Sequence, residues 1–295
     1  MSVNPVASAG SVQSAIALAS SRTGMDFDYL LGQAQVESGL NVRAAAGTSS
    51  ARGLYQFIEQ SWLAVVKKHG SAHGMGWAAD AIGRNANGRW TVDPAMRSQV
   101  LGLRNDPTAA SLMAAEHASD NKAALEGSLG RGATGTDLYM AHFLGLGGAK
   151  QFLGAMAANP DRGGAALFPA AARANRNIFY AADGSQRSLG EIYSRFAAKL
   201  DKGAAAGGAT GLASDNLDGS VSTSPIAALY QVAGAEVVAG AGETGDQATR
   251  WASATLERLQ GRIQPGGSPL TAQNLLRPTP DTARLAYLML ARLGN

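Results

Sequence analysis

From Val12 to about Lys199, apolar residues recur at spacings of three and four instead of alternating, and glycines punctuate the pattern. This periodicity predicts helices over residues 12–21, 26–38, 59–69, 94–104, 108–124, 136–145, 149–158 and 188–200. The stretch from Gly70 to Val92 shows no convincing hairpin pattern and reads as irregular, with a turn at Asn87-Gly88. At Gly203 the helical pattern gives way to small and polar residues, the composition of a flexible linker over 203–224. Helical periodicity returns beyond Pro225. The last helix opens at Thr279-Pro280-Asp281, carries Leu285, Leu288 and Met289 on one face, and stops at Gly294. The expectation is a mainly α protein: a helical domain over 1–202, a linker over 203–224 and a small helical tail over 225–295.

Composition narrows the chemistry. The chain has 295 residues and no cysteine, so disulfides, thiolate catalysis and cysteine-ligated zinc are excluded. Apolar residues make up 45%, too many for a disordered polyelectrolyte, and no apolar run is long enough to span a bilayer. Glycine (37) and alanine (58) are abundant, and the repeated small residues over 226–242 would allow close helix packing by the tail. The net charge of +3 is too small a surplus to indicate nucleic acid. Residues 1–200 hold 18 basic and 14 acidic groups, residues 201–295 only 7 and 8, so the excess lies on the domain. The first residues have no Lys or Arg before Arg22 and no continuous apolar core, and do not read as a secretory signal. Gly145 to Gly148 lack the Lys-Ser/Thr of a phosphate loop. His69 and His73 lack further ligands in sequence, so neither a metal nor a cofactor is expected.

One carboxylate stands out. In the segment from Asp26 to Leu40, Asp26 is placed as an N-cap and Gly39 as a terminator, and Phe27, Leu30, Leu31 and Ala34 form an apolar stripe. The next position on that stripe is Glu37. Partial burial and the negative end of a helix dipole both favour the protonated form, the condition for a general acid near neutral pH. The plainer alternative is that Glu37 reaches solvent or pairs with Arg43 or Arg52. Downstream, Gly53-Leu54-Tyr55-Gln56-Phe57 combines a glycine permitting close backbone approach, a planar amide and two aromatic rings, a combination that sugar sites need.

Glu37-Ser38-Gly39, followed by Ser49, Ala51, Arg52 and then Gly53-Leu54-Tyr55-Gln56, resembles the soluble lytic transglycosylase family, with Tyr55 in place of a usual methionine. The third family motif is altered here to Ala141-His142-Phe143-Leu144-Gly145, as in a subgroup with atypical later motifs, and Phe143 stands where an asparagine is usual. The resemblance covers about residues 10–200. It implies a lysozyme-like helical fold and cleavage of the MurNAc-β-1,4-GlcNAc bond of peptidoglycan, with 1,6-anhydro ends and one glutamate as acid and base. Glu37 is then catalytic. Ser38, Ser49, Tyr55, Gln56, Phe57, Tyr139 and His142 are implied substrate contacts, Tyr193 (with Tyr180 as rival) is the tyrosine near the acid, and Glu116 is a second acidic group or a salt-bridged helix residue. Hydrolysis on the same fold, or glycan binding with weak catalysis, are the alternatives. The implied partners are glycan strands. The tail over 225–295 is not covered by the resemblance; its small-residue helical pattern suggests an accessory unit that binds a protein partner, with an envelope-crossing machine or phage particle as the setting. The implied location is the periplasm or cell envelope.

Overall fold

The computed structural model describes residues 9–47, 49–209, 211–215 and 217; the tail over 225–295 and most of the expected linker lie outside the described residues. Among the described residues the protein is mainly helical, with eleven α-helices and one small sheet. The long elements are α1 (Ala9–Thr23), α2 (Phe27–Ser38), α3 (Glu59–His69), α6 (Pro107–Leu129), α7 (Gly135–Ala158) and α11 (Leu189–Ala206). Shorter helices fill the connections: α4 (Gly76–Asp80), α5 (Arg97–Gly102), α8 (Gly164–Leu167), α9 (Pro169–Ala174) and α10 (Arg176–Phe179). None of the described helices is long and apolar enough to cross a membrane.

Helix ends form where local chemistry requires. The Asp26 carboxylate accepts from the Tyr29 N–H at 2.7 Å, and Gly39 closes α2 in the left-handed region at φ 61°. Capping boxes at Thr134/Asp137 and Ser188/Glu191 start α7 and α11. The two helices expected over 136–145 and 149–158 are present as the two parts of α7, separated by a break where Gly145 takes the non-helical φ 72° and ψ 161°.

The region from Gly70 to Val92 corrects the sequence reading. It contains an antiparallel hairpin, β1 (Ile82–Arg84) and β2 (Trp90–Val92), in the register Ile82↔Val92, Gly83↔Thr91, Arg84↔Trp90. Strands this short leave too few positions for alternation to register, although the turn at Gly88 (φ 73°) lies where expected.

The core positions the site. α1 packs on α6, α2 on α11, and α7 on both α6 and α11. Phe27, Leu30, Leu31 and Ala34 of α2 are all fully buried, as the stripe predicts. α2 and α11 cross closely because Gly32 and Gly203 face each other: a Cβ on Gly32 would sit 2.9 Å from the Leu200 carbonyl oxygen, and one on Gly203 would sit 3.0 Å from the Gly32 carbonyl oxygen. Gly203 is thus helical and buried, and α11 ends at Ala206, beyond the 202 boundary read from composition.

The chain then turns back over the domain. Gln13 Nε2 donates to the Gly207 carbonyl at 2.6 Å, and Gly211 N donates to Asp28 at 3.1 Å. Ser214 N donates to Asp201 at 2.9 Å, and Ala213 is fully buried. The carbonyls of Asp215 and Ser214 accept from the N–H groups of Gly135 and Thr136 at 2.9 and 3.3 Å. The described residues of this stretch, 207–209, 211–215 and 217, therefore form a strap over the start of α7, where composition alone reads linker.

Candidate active site

Glu37 lies in the last turn of α2 with its side chain 18% exposed. α7 brings two groups to it. The Tyr139 hydroxyl donates to Oε1 at 2.9 Å, and His142 Nε2 lies 3.5 Å from the same oxygen. Tyr139 and His142 are three residues apart on one helix face, and their rings stack with centroids 6.0 Å apart. α11 supplies Lys199, whose Nζ donates to the Tyr139 hydroxyl at 3.4 Å, and Phe196, whose ring meets Tyr139 edge-on at 5.4 Å. Phe143 also packs on Phe196, with ring centroids 4.9 Å apart. Glu37 Oε2 has no partner among the described residues, so one oxygen is anchored and the other is left for a ligand.

The electrostatics run against the sequence expectation. Burial, the largest influence, raises the proton affinity of Glu37. The hydrogen bond and charge of His142, the Tyr139 hydrogen bond and the charge of Lys199 together outweigh it, and the carboxyl is held below its ordinary value. The neighbour set therefore stabilises the anion. Neither Arg43 nor Arg52 pairs with it; the Arg52 guanidinium donates instead to the carbonyls of Ala46 and Ala51 at 3.2 and 3.3 Å.

The loop that follows is set by backbone contact. Gly53 has φ +78°, and a Cβ there would lie 1.8 Å from the Arg104 carbonyl oxygen, so no other residue fits. The Arg104 side chain, nearly buried, donates to the carbonyls of Ser50 (2.7 Å) and Phe57 (3.1 Å) and fixes the loop from beneath. Gln56 takes φ 48° and directs Nε2 onto the carbonyls of Ala44 (3.1 Å) and Gly53 (2.9 Å), leaving Oε1 as its free acceptor among the described contacts.

Several expected substrate contacts have other positions. Tyr55 is 1% exposed, its hydroxyl facing Ser111 without a well-formed hydrogen bond, and burial raises its proton affinity. Phe57 is buried against Trp62, ring centroids 5.4 Å apart. Both aromatic residues of this loop therefore serve the core, because a loop pinned at Gly53 and Arg104 turns its apolar side chains inward. Ser38 Oγ donates back to the Ala34 carbonyl at 3.0 Å, and exposed Ser49 accepts from Ala51 N at 3.2 Å.

Tyr193 does not approach the acid. Its hydroxyl bonds Thr134 (2.7 Å) and Asp137 (2.9 Å) at the α7 N-terminus, and burial raises its proton affinity. Tyr180 instead packs under Arg176, 4.6 Å from its ring centroid. The tyrosine on Glu37 is Tyr139.

Glu116 is engaged elsewhere: His73 Nε2 lies 2.6 Å from one oxygen and His69 Nδ1 3.2 Å from the other, while His69 Nε2 meets Asp120 at 2.9 Å. No group of His, Asp or Glu among the described residues could hold a metal ion. Sequence reasoning missed Lys199 and Arg104. Lys199 carried a faint signal, three residues beyond Phe196 on an amphipathic helix; Arg104 carried none. No protein-family model matches the chain.

Proposed function

We propose that the protein is a peptidoglycan lytic transglycosylase with a lysozyme-like domain, in which Glu37 is both general acid and general base. The observation that carries this reading is a partly buried carboxyl with one oxygen fixed by Tyr139 and His142 and the other without a partner among the described residues, while Glu116, the second acidic group singled out in the sequence, is bound by two histidines. Most glycosidases need two carboxyl groups; a reaction that uses one must draw its nucleophile from the substrate.

Glu37 Oε2 carries the proton and gives it to the glycosidic oxygen as the bond to the muramoyl anomeric carbon breaks. The resulting carboxylate takes the proton of the muramoyl C6 hydroxyl, and that oxygen closes on the anomeric carbon to give the 1,6-anhydro end. The substrate's acetamido group supports the positive charge between the two steps. Tyr139 and His142 hold the carboxyl in place and favour its anionic form, which suits the base step. The acid step requires the opposite bias, and sugar filling the site supplies it by deepening the desolvation that already acts most strongly on Glu37. The proposed setting is the cell envelope, reached through a secretion apparatus or a phage particle, with residues 225–295 holding a protein partner.

The depressed proton affinity of Glu37 favours one other reading, a glycan-binding component with slow chemistry. Glu37→Gln separates the two. Incubated with sacculi, the parent protein is expected to release muropeptides one water lighter by mass than hydrolysis products, and the variant none. A parent that binds sacculi and releases nothing soluble would establish the binding role. Products ending in a reducing sugar would assign hydrolysis instead.

A further inference from the structure

Two cavities flank the β1–β2 hairpin and share Trp90 and Gln60 as walls. One, of about 440 Å³, is lined also by Asn85, Asn87, Arg89 and Arg97. The other, of about 610 Å³, is lined also by Lys68, Arg84, His117 and Asp120. Glu37 lines neither.

Trp90 is firmly held: its backbone N–H donates to Gln60 Oε1 at 3.0 Å, and its carbonyl accepts from Gln60 Nε2 at 2.9 Å. The Arg84 guanidinium lies over the indole, 4.0 Å from its centroid, and donates to the Gly88 carbonyl at 3.1 Å. Of the surrounding charges, Arg97 pairs with Glu59 at 2.6 Å and Lys68 with Asp120 at 2.7 Å. Lys67 donates to the Ala79 carbonyl. Among the described residues neither Arg84, stacked on Trp90, nor Arg89, which lines the smaller cavity with Trp90, has a carboxylate partner within ion-pair distance.

His117 also lines the larger cavity and packs edge-on to Phe57 at 6.0 Å. Burial and then the charge of His142 press its imidazole down to about 4.

We propose that the hairpin clefts hold a peptide-bearing stretch of glycan strand, a sugar ring against Trp90 and stem-peptide carboxylates on Arg84 and Arg89. The part of the indole that Arg84 does not cover lines both cavities and offers apolar surface to the C–H side of a pyranose, while Asn87 and the Nδ2 group of Asn85, whose Oδ1 accepts from the N–H groups of Asn87 and Arg89 at 3.0 Å, offer amides at its rim. A guanidinium matches a carboxylate with two parallel N–H groups, and Arg84, stacked on Trp90 with Nη1 on the Gly88 carbonyl, keeps Nε and Nη2 for that purpose among the described contacts. The inference rests on the reading of Glu37 as a murein-cleaving acid, and it adds that recognition extends to the peptide, away from the scissile bond.

The test uses the full-length Glu37→Gln protein, which does not consume its ligand, at low salt. Binding is measured to solubilised glycan strands that carry stem peptides and to the same strands stripped by an amidase. Adding Arg84→Gln with Arg89→Gln, two exposed positions, is expected to weaken binding of peptide-bearing strands about tenfold and to leave stripped strands unaffected. Adding Trp90→Ala is expected to weaken both. Unchanged binding of peptide-bearing strands by the double arginine variant would overturn the proposal. So would equally tight binding of an oligonucleotide of matched charge, since the arginines would then answer to any polyanion. Release of muropeptides by the parent is scored separately. If the parent cleaves sacculi and the arginine variant binds normally, the hairpin site alone is lost. If the parent releases nothing while the variant still loses peptide-bearing strands, the assignment to Glu37 is lost and the hairpin site stands.

Discussion

At the scale of residues, the behaviour of Glu37 depends on which neighbours surround it. Burial and helix position favour its acid form, as the sequence pattern suggests, but three side chains from two other helices reverse the balance. The pH profile should report this. In the proposed reaction Glu37 donates only when protonated, so kcat/KM is expected to fall as pH rises through its titration. Lys199→Met removes a cation that never touches Glu37 directly, and the falling limb should move to higher pH in muropeptide-release assays. An unmoved limb would mean that Lys199 does not set this titration. His142→Gln should move the same limb in the same direction, since both the hydrogen bond and the charge of His142 lower the proton affinity of Glu37.

At the scale of elements, the loop from Ser50 to Phe57 shows how a site can depend on a contact far away in sequence. Arg104 approaches this loop with its carbonyl against Gly53 and its guanidinium beneath Ser50 and Phe57. Gly53→Ala places a methyl group against that carbonyl and forces a positive φ on alanine. The expected cost exceeds about 3 kcal/mol, visible in denaturant unfolding, and Gln56 should lose its position with the loop. A cost within 1 kcal/mol of the parent would refute this account.

The same loop marks the limit of what the sequence discloses. α2 with its caps, α3, and the placement of Glu37 beneath an apolar stripe were all legible, because helical periodicity and capping are local. The inward turn of Tyr55 and Phe57 was not, because it depends on Arg104. Tyr139 and His142 could be placed on one helix face, yet nothing in the spacing identifies Tyr139 over Tyr193 as the residue at the acid. That choice is made by how α2, α7 and α11 pack. The hairpin was hidden by its brevity.

At the scale of the whole molecule, the carboxyl belongs to α2, its partners to α7 and α11, and the strap ties these helices together through Gly211, Ser214 and Asp215. The α2–α11 crossing at Gly32 and Gly203 and the strap's hydrogen bonds to Gly135 and Thr136 secure two sides of the same arrangement. A chain ending at residue 206 should therefore melt about 5 °C or more below one ending at residue 217, by calorimetry or circular dichroism. Equal melting temperatures would show that the strap contributes nothing to stability.

The strap has a further consequence, measured in time. The first N–H groups of a helix have no partner within it and ordinarily exchange with solvent quickly. In α7 those of Gly135 and Thr136 are closed by carbonyls from a segment almost eighty residues further along the chain. Their exchange rates form a clock for how often that segment lifts, readable at two amides on the helix that carries Tyr139 and His142.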